Sequence, residues 1–182
     1  MRSPAAQPSK PWTEPVRMSR LPERPLQRRI VADPSARLEI ARQLGLDRLD
    51  VLEAELTVTS WLDGVELRAD WSATVEQTCG VTLEPLSTQL NGGFTVRVLP
   101  AGSPNAPEAS TEEVVVEPDA EDPPDIFDGD LIDPGAYVVE HLALEIDPFP
   151  RKPGAVFVQP EEPQPPSPFE ALRNFKAGPP RE

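Results

Sequence analysis

Residues 51–79, VLEAELTVTSWLDGVELRADWSATVEQTC, decide the fold. Leu52, Ala54, Leu56 and Val58 alternate with Glu53, Glu55, Thr57 and Thr59. After Asp63-Gly64 the same period resumes, with Val65, Leu67, Ala69, Trp71, Ala73 and Val75 set against Glu66, Arg68, Asp70, Ser72, Thr74 and Glu76. Successive side chains of a strand point to opposite faces, so each run is a strand with one buried and one solvated face. Asp-Gly is a favoured dipeptide for a two-residue turn, which makes the pair a long antiparallel hairpin. Cys79 falls in phase with the buried face, where a free thiol behaves as a small hydrophobe with little thiolate character.

Downstream, the apolar phase continues through Val81 and Leu83 and then shifts by one residue to Leu86, Leu90, Phe94, Val96 and Val98. Such a shift requires a bulge or bend, expected at Glu84-Pro85, because proline cannot donate to the ladder. Asn91-Gly92-Gly93 reads equally as a turn or a second bulge. Upstream, Asp33-Pro34 is a helix start, Ala36, Ile40 and Leu44 repeat at four-residue spacing, and Gly45 is a stop, so a short helix is expected over 35–44. Asp133-Pro134 repeats the start signal, with a core stripe at Val138, Val139, Leu142 and Ile146, ended by Pro148 and Pro150. Tyr137, Glu140, His141 and Leu144 project from the other side of that helix. His141 reads as a surface residue that pairs with Glu145 when protonated. The expected architecture is α+β: an antiparallel meander of three or four long strands, a short helix before it and a second helix after an acidic loop. Its buried face is Leu52, Leu56, Leu67, Trp71, Val75 and Cys79, covered by Val138, Leu142 and Ile146.

The 182-residue chain has 25 prolines, 17 basic and 31 acidic side chains, and a formal charge of −14. Only two prolines lie between residues 26 and 99, so a compact middle with loose ends is expected. Residues 1–29 hold seven basic side chains against Glu14 and Glu23 and read as a disordered basic arm bearing one large apolar group, Trp12. An α+β domain is expected over 30–158, containing a solvated acidic loop at 101–130 in which Val114 to Val116 supply at most one short strand. Residues 159–182 read as a proline-rich tail, with Phe169, Leu172 and Phe175 as a candidate docking helix. The chain shows no 18-residue apolar run and no secretory leader, which predicts a cytoplasmic protein.

The function classes narrow accordingly. One cysteine and one histidine, Cys79 and His141, exclude an internal disulfide and a zinc site built from Cys and His of this chain alone. Histidine-dependent triads, P-loops and dinucleotide-binding glycine patterns are absent, and Asp128-Gly129-Asp130 lacks the rest of a calcium loop. No catalytic residue, cofactor, metal, membrane or small-molecule substrate is expected.

Two stretches together carry a resemblance. Gln77-Thr78-Cys79-Gly80-Val81-Thr82-Leu83-Glu84-Pro85 is followed about fifty residues later by Ile132-Asp133 and by Glu140-His141-Leu142-Ala143-Leu144-Glu145-Ile146-Asp147-Pro148-Phe149-Pro150-Arg151-Lys152-Pro153-Gly154. In this order, separated by an acidic loop, they resemble the YceD family, and the second ending resembles its alphaproteobacterial branch. The resemblance implies a non-enzymatic role in the synthesis, processing or stability of large-subunit ribosomal RNA. It places the family signature on Cys79, Leu83, Glu84, Pro85, Asp133, Glu140, Leu144 and Pro148. Many relatives carry Cys-x-x-Cys at the first motif. Here Thr82 takes the second position, which argues against an obligatory zinc role, and Pro134 replaces a usual leucine.

The charge bears on how such a role is performed. Phosphate binding relies on lysines and arginines displacing counterions, so a strongly acidic body disfavours RNA, whereas basic ribosomal proteins are drawn to it. The expected partner is a basic ribosomal protein or assembly factor, held by Glu112, Glu113, Glu117, Asp128 and Asp130 with Tyr137 and His141, ribosomal RNA being affected indirectly. The alternative is direct RNA binding through Arg17, Arg20, Arg24, Arg28 and Arg29.

Overall fold

The computed structural model describes residues 12–106 and 122–157. Along the chain it has β1 (Val16–Arg17), a 3-10 turn (Met18–Arg20), β2 (Leu26–Val31), α1 (Pro34–Leu44), β3 (Arg48–Trp61), β4 (Gly64–Thr78), β5 (Pro85–Pro100), β6 (Asp125–Phe127), β7 (Leu131–Ile132) and α2 (Pro134–Glu145). The main sheet runs β2-β3-β4-β5-β6, and β1 pairs with β7 in a small second sheet. The long strands β3, β4 and β5 are the expected antiparallel meander. It is flanked by β2, antiparallel to β3, and by β6, which runs parallel to β5 and so departs from a pure meander.

The β3–β4 turn sits one residue earlier than Asp63-Gly64. Trp61 pairs with Gly64, leaving Leu62 and Asp63 in the turn, with Leu62 in the left-handed region at φ 53°. Gly64 is required for a different reason: a Cβ there would lie 2.0 Å from the Val98 carbonyl oxygen of β5. The phase shift expected as a bulge at Glu84-Pro85 is instead a chain reversal, since β4 ends at Thr78 and β5 begins at Pro85. The reversal is closed by Cys79 N–H to the Glu84 carbonyl and Leu83 N–H to the Cys79 carbonyl, both 2.9 Å, with Leu83 at φ 59°. The register irregularity of the sheet lies in β3, between Leu49 and Val51, and it keeps both Leu49 and Leu52 buried. Asn91-Gly92-Gly93 is neither turn nor bulge. It runs within β5 opposite Ser72, Trp71 and Asp70, and a Cβ on Gly92 would meet the Trp71 ring at 2.9 Å.

Both helices form where their start signals stand. The Asp33 carboxylate accepts from Ala36 N–H at 2.8 Å and Gly45 closes α1 at φ 67°. Ile40 of α1 and Val138 and Leu142 of α2 are fully buried with Leu52, Leu67 and Val75 of the sheet, while Val139 is also buried and Ile146 half-buried. Cys79 is buried but stands apart from this apolar cluster.

The loose arm expected through residue 29 is corrected from Trp12 onward. Trp12 and Val16 are buried, Val16 pairs with Ile132, and Leu26–Val31 adds to the sheet through Ile30 opposite Ala54. Three apolar anchors placed between prolines outweigh the composition that suggested disorder. Part of the acidic loop is likewise ordered, as β6 and a segment in which Ser103 and Asn105 donate to the Asp63 carboxylate at 2.8 and 2.9 Å. Val114 to Val116 and the tail residues Phe169, Leu172 and Phe175 lie outside the described residues. Among the described residues no helix is long and apolar enough to cross a membrane.

Candidate functional site: the junction of the two signature segments

Residues 77–85 end one long strand and begin the next, and residues 147–152 leave the C-terminus of α2; the fold brings them together. Gln77 donates its side-chain amide to the Asp147 carbonyl at 3.0 Å, and Gly80 N–H donates to the Pro150 carbonyl at 2.9 Å. Cys79 Sγ, closed off from solvent, accepts from Thr82 N–H at 3.5 Å and from Lys152 N–H at 3.3 Å. The Lys152 ammonium reaches the Glu84 carboxylate at 2.9 Å and holds that carboxyl below its usual range.

Hydrogen bonding to sulfur favours the thiolate. The Thr82 hydroxyl, followed by the backbone N–H groups of Lys152, Thr82 and Val81, pulls the Cys79 thiol down to about 6, against a smaller opposing effect of burial. The sulfur is therefore an acceptor that ties two loops together, and the expectation of an inert hydrophobe with little thiolate character is corrected. Lys152 and Gln77 were not singled out in the sequence, although both lie in the stretches that carry the resemblance.

The junction presents apolar groups outward. Leu83 is 77% exposed, Leu144 75% and Phe149 77%, while Glu84, Pro85, Glu140 and Pro148 are also exposed. The backbone of Leu83 is left-handed, an uncommon state for a leucine that contributes no packing in return. Asp133 sits at the N-terminal boundary of α2, where its carboxylate accepts Glu14 N–H at 2.9 Å and so fastens the N-terminal segment. Around the corner, His141 lies flat on Phe94, with ring centroids 4.0 Å apart and planes at 7°. The Tyr137 hydroxyl donates to Asp125 at 2.8 Å, and burial, then that carboxylate, pushes its ionisation up.

A family model described as large ribosomal RNA subunit accumulation protein YceD matches residues 67–176. The chain belongs to the YceD family. The match begins within β4 and takes in residues 77–85 and 147–152, so the junction lies inside the matched part, whereas β2, α1 and β3 lie before it. No curated protein and no solved structure compared with the chain matches it. Among the described residues, no three His, Cys, Asp or Glu side chains gather in a way that could hold a metal ion.

The remaining candidate residues divide. Asp128 is exposed, whereas Asp130 accepts from Ser19 N–H and hydroxyl, both at 2.7 Å, and lies 3.7 Å from Arg17. Glu112, Glu113 and Glu117 lie outside the described residues. Of the basic candidates, Arg28 pairs with Glu14 at 2.6 Å and Arg29 with Glu53 at 2.7 Å, while Arg20 and Arg24 are exposed.

Proposed function

We propose that this YceD protein supports accumulation of large-subunit ribosomal RNA without catalysing a reaction, by holding a cationic ribosomal protein or assembly factor. The observation that carries the reading is a stretch of chain with many acids and no lysine or arginine. From residue 98 to 150 there is no lysine or arginine, and Asp122, Asp125, Asp128, Glu140, Glu145 and Asp147 are all exposed there. Such a surface attracts a cationic protein at long range and repels phosphates. Direct RNA binding through the N-terminal arginines is the weaker reading, because Arg17 and Arg29 face Asp130 and Glu53 of the body and Arg28 faces Glu14 of its own segment.

The test is a pull-down at low and at high salt, with ribosomal proteins and ribosomal RNA both identified, on the wild type and on a variant carrying Asp122→Asn, Asp128→Asn, Glu140→Gln and Glu145→Gln. Basic ribosomal proteins should be retained at low salt and lost both in the variant and at high salt. Retention of RNA alone, or protein retention indifferent to salt and to the four substitutions, contradicts the reading.

A further inference from the structure

The described residues leave Leu83, Leu144, Phe149, Val156 and Phe157 exposed. Leu83 and Phe149 belong to the two loops that Gly80 N–H to Pro150 and Lys152 to Glu84 hold together, and Leu144 stands on the last turn of α2, just before the second loop. Val156 and Phe157 continue that loop. Apolar side chains gathered in this way mark a contact surface. The left-handed backbone of Leu83 is strain that such a contact offsets.

The chain itself supplies a complement. The described structure ends at Phe157, while the family match runs on to residue 176. In Ser167-Pro168-Phe169-Glu170 a capping serine, a proline suited to the first helical position and the glutamate of a capping box fall in register, and Gly178-Pro179 is a stop signal. Three-residue spacing then puts Phe169, Leu172 and Phe175 on one helical face. A helix of this length is marginal in water by itself, so its apolar face needs a seat. Charge favours the junction as that seat. Arg173 and Lys176 are the cations of the segment, and Glu140, Glu145 and Asp147 are exposed along the chain on either side of Leu144. Reach is sufficient as well, because Lys152 touches both Cys79 and Glu84, and the ten residues 158–167 extend to about 33 Å.

We propose that residues 168–176 of this chain dock as a short amphipathic helix on the apolar surface made by Leu83, Leu144 and Phe149, a contact that does not depend on the partner-holding reading above. The docked segment keeps water and other chains off the junction, so anything that binds there must first displace it.

The test is methyl and amide NMR of the full chain. Leu172 methyls should show cross-relaxation with those of Leu83 and Leu144, and the amides of 171–176 should exchange ~10-fold or more slowly than in Leu83→Asn. Asparagine tolerates the left-handed backbone, so this variant removes the apolar contact and keeps the loop, as unchanged β4 amide shifts verify. The triple variant Phe169→Ala, Leu172→Ala, Phe175→Ala, altered only in the segment, should shift the Leu83 and Leu144 methyl resonances and leave those of the core in place. Identical Leu83 and Leu144 shifts in the wild type and the triple variant overturn the proposal. So does a Leu172 contact that vanishes on dilution, which assigns the seat to a second copy, and so does contact of Leu83 with residues 1–11 or 107–121 in place of Leu172.

Discussion

The backbone N–H of Lys152 ends on the sulfur of Cys79 at 3.3 Å, although 73 residues separate them. Removing the acceptor should therefore loosen a long-range closure and not merely a local turn. In Cys79→Ala the amides of Thr82 and Lys152 lose their partner, and both should exchange faster with solvent, with a lower Tm. Cys79→Ser, which keeps a smaller acceptor, should fall between the two. Unchanged exchange at Lys152 would show that sulfur does not hold the strap.

The same contacts set a pH dependence. The thiol is lowered from its ordinary 9.0 to about 6 on folding, so between these values the unfolded chain binds more protons than the native one. Stability from this group is then fully present above about 9, declines as pH falls and is lost below about 6. Thiolate ultraviolet absorbance of the native protein should titrate near the lower value. The difference in Tm between wild type and Cys79→Ser should widen as pH rises through this window.

Trp12 tests whether the N-terminal segment belongs to the body. The ring is 6% exposed and sits against Gly135 at the start of α2. Trp12→Ala should cost about 3–5 kcal/mol in denaturant unfolding, as for other buried aromatics. A change below about 1 kcal/mol, in the range of substitutions on an open surface, would mean that the segment is only loosely applied.

Gly64 and Gly92 should differ in tolerance. A methyl at Gly64 meets the Val98 backbone oxygen, which cannot move without shifting β5, so Gly64→Ala should exceed the usual overpacking range of about 1–3 kcal/mol. At Gly92 the obstacle is the Trp71 ring, a side chain that can tilt. Gly92→Ala should lie within that range and alter Trp fluorescence. The ordering is checked by urea unfolding of both variants.

Elements whose cause is local were legible in the sequence. Period-two alternation located β3 and β4, and Asp-Pro located both helix starts, although only Asp33 caps its helix with its side chain while Asp133 accepts Glu14 N–H instead. What the sequence hid was decided at a distance. The glycine of Asp63-Gly64 answers to Val98 rather than to its own turn, and the phase shift after Cys79 closes a hairpin because Pro150 and Lys152 receive the loop. Arg28 and Arg29 read as a basic arm, since nothing local announces that Glu14 and Glu53 face them. For the site, the resemblance located both segments, but not that the chain would fold Leu83 and Leu144 outward and Cys79 inward.

Glu14 hands its amide to Asp133 across 119 residues, and Val16 pairs with Ile132 beside it. During synthesis the first of each pair leaves the ribosome long before the second, and closure of such distant contacts is slow. A nascent chain halted anywhere short of Ile132 must therefore carry Trp12 and Val16 without their seats, a ready target for chaperones or proteases. Completion of this fold thereby waits on synthesis of the chain through Ile132 and Asp133.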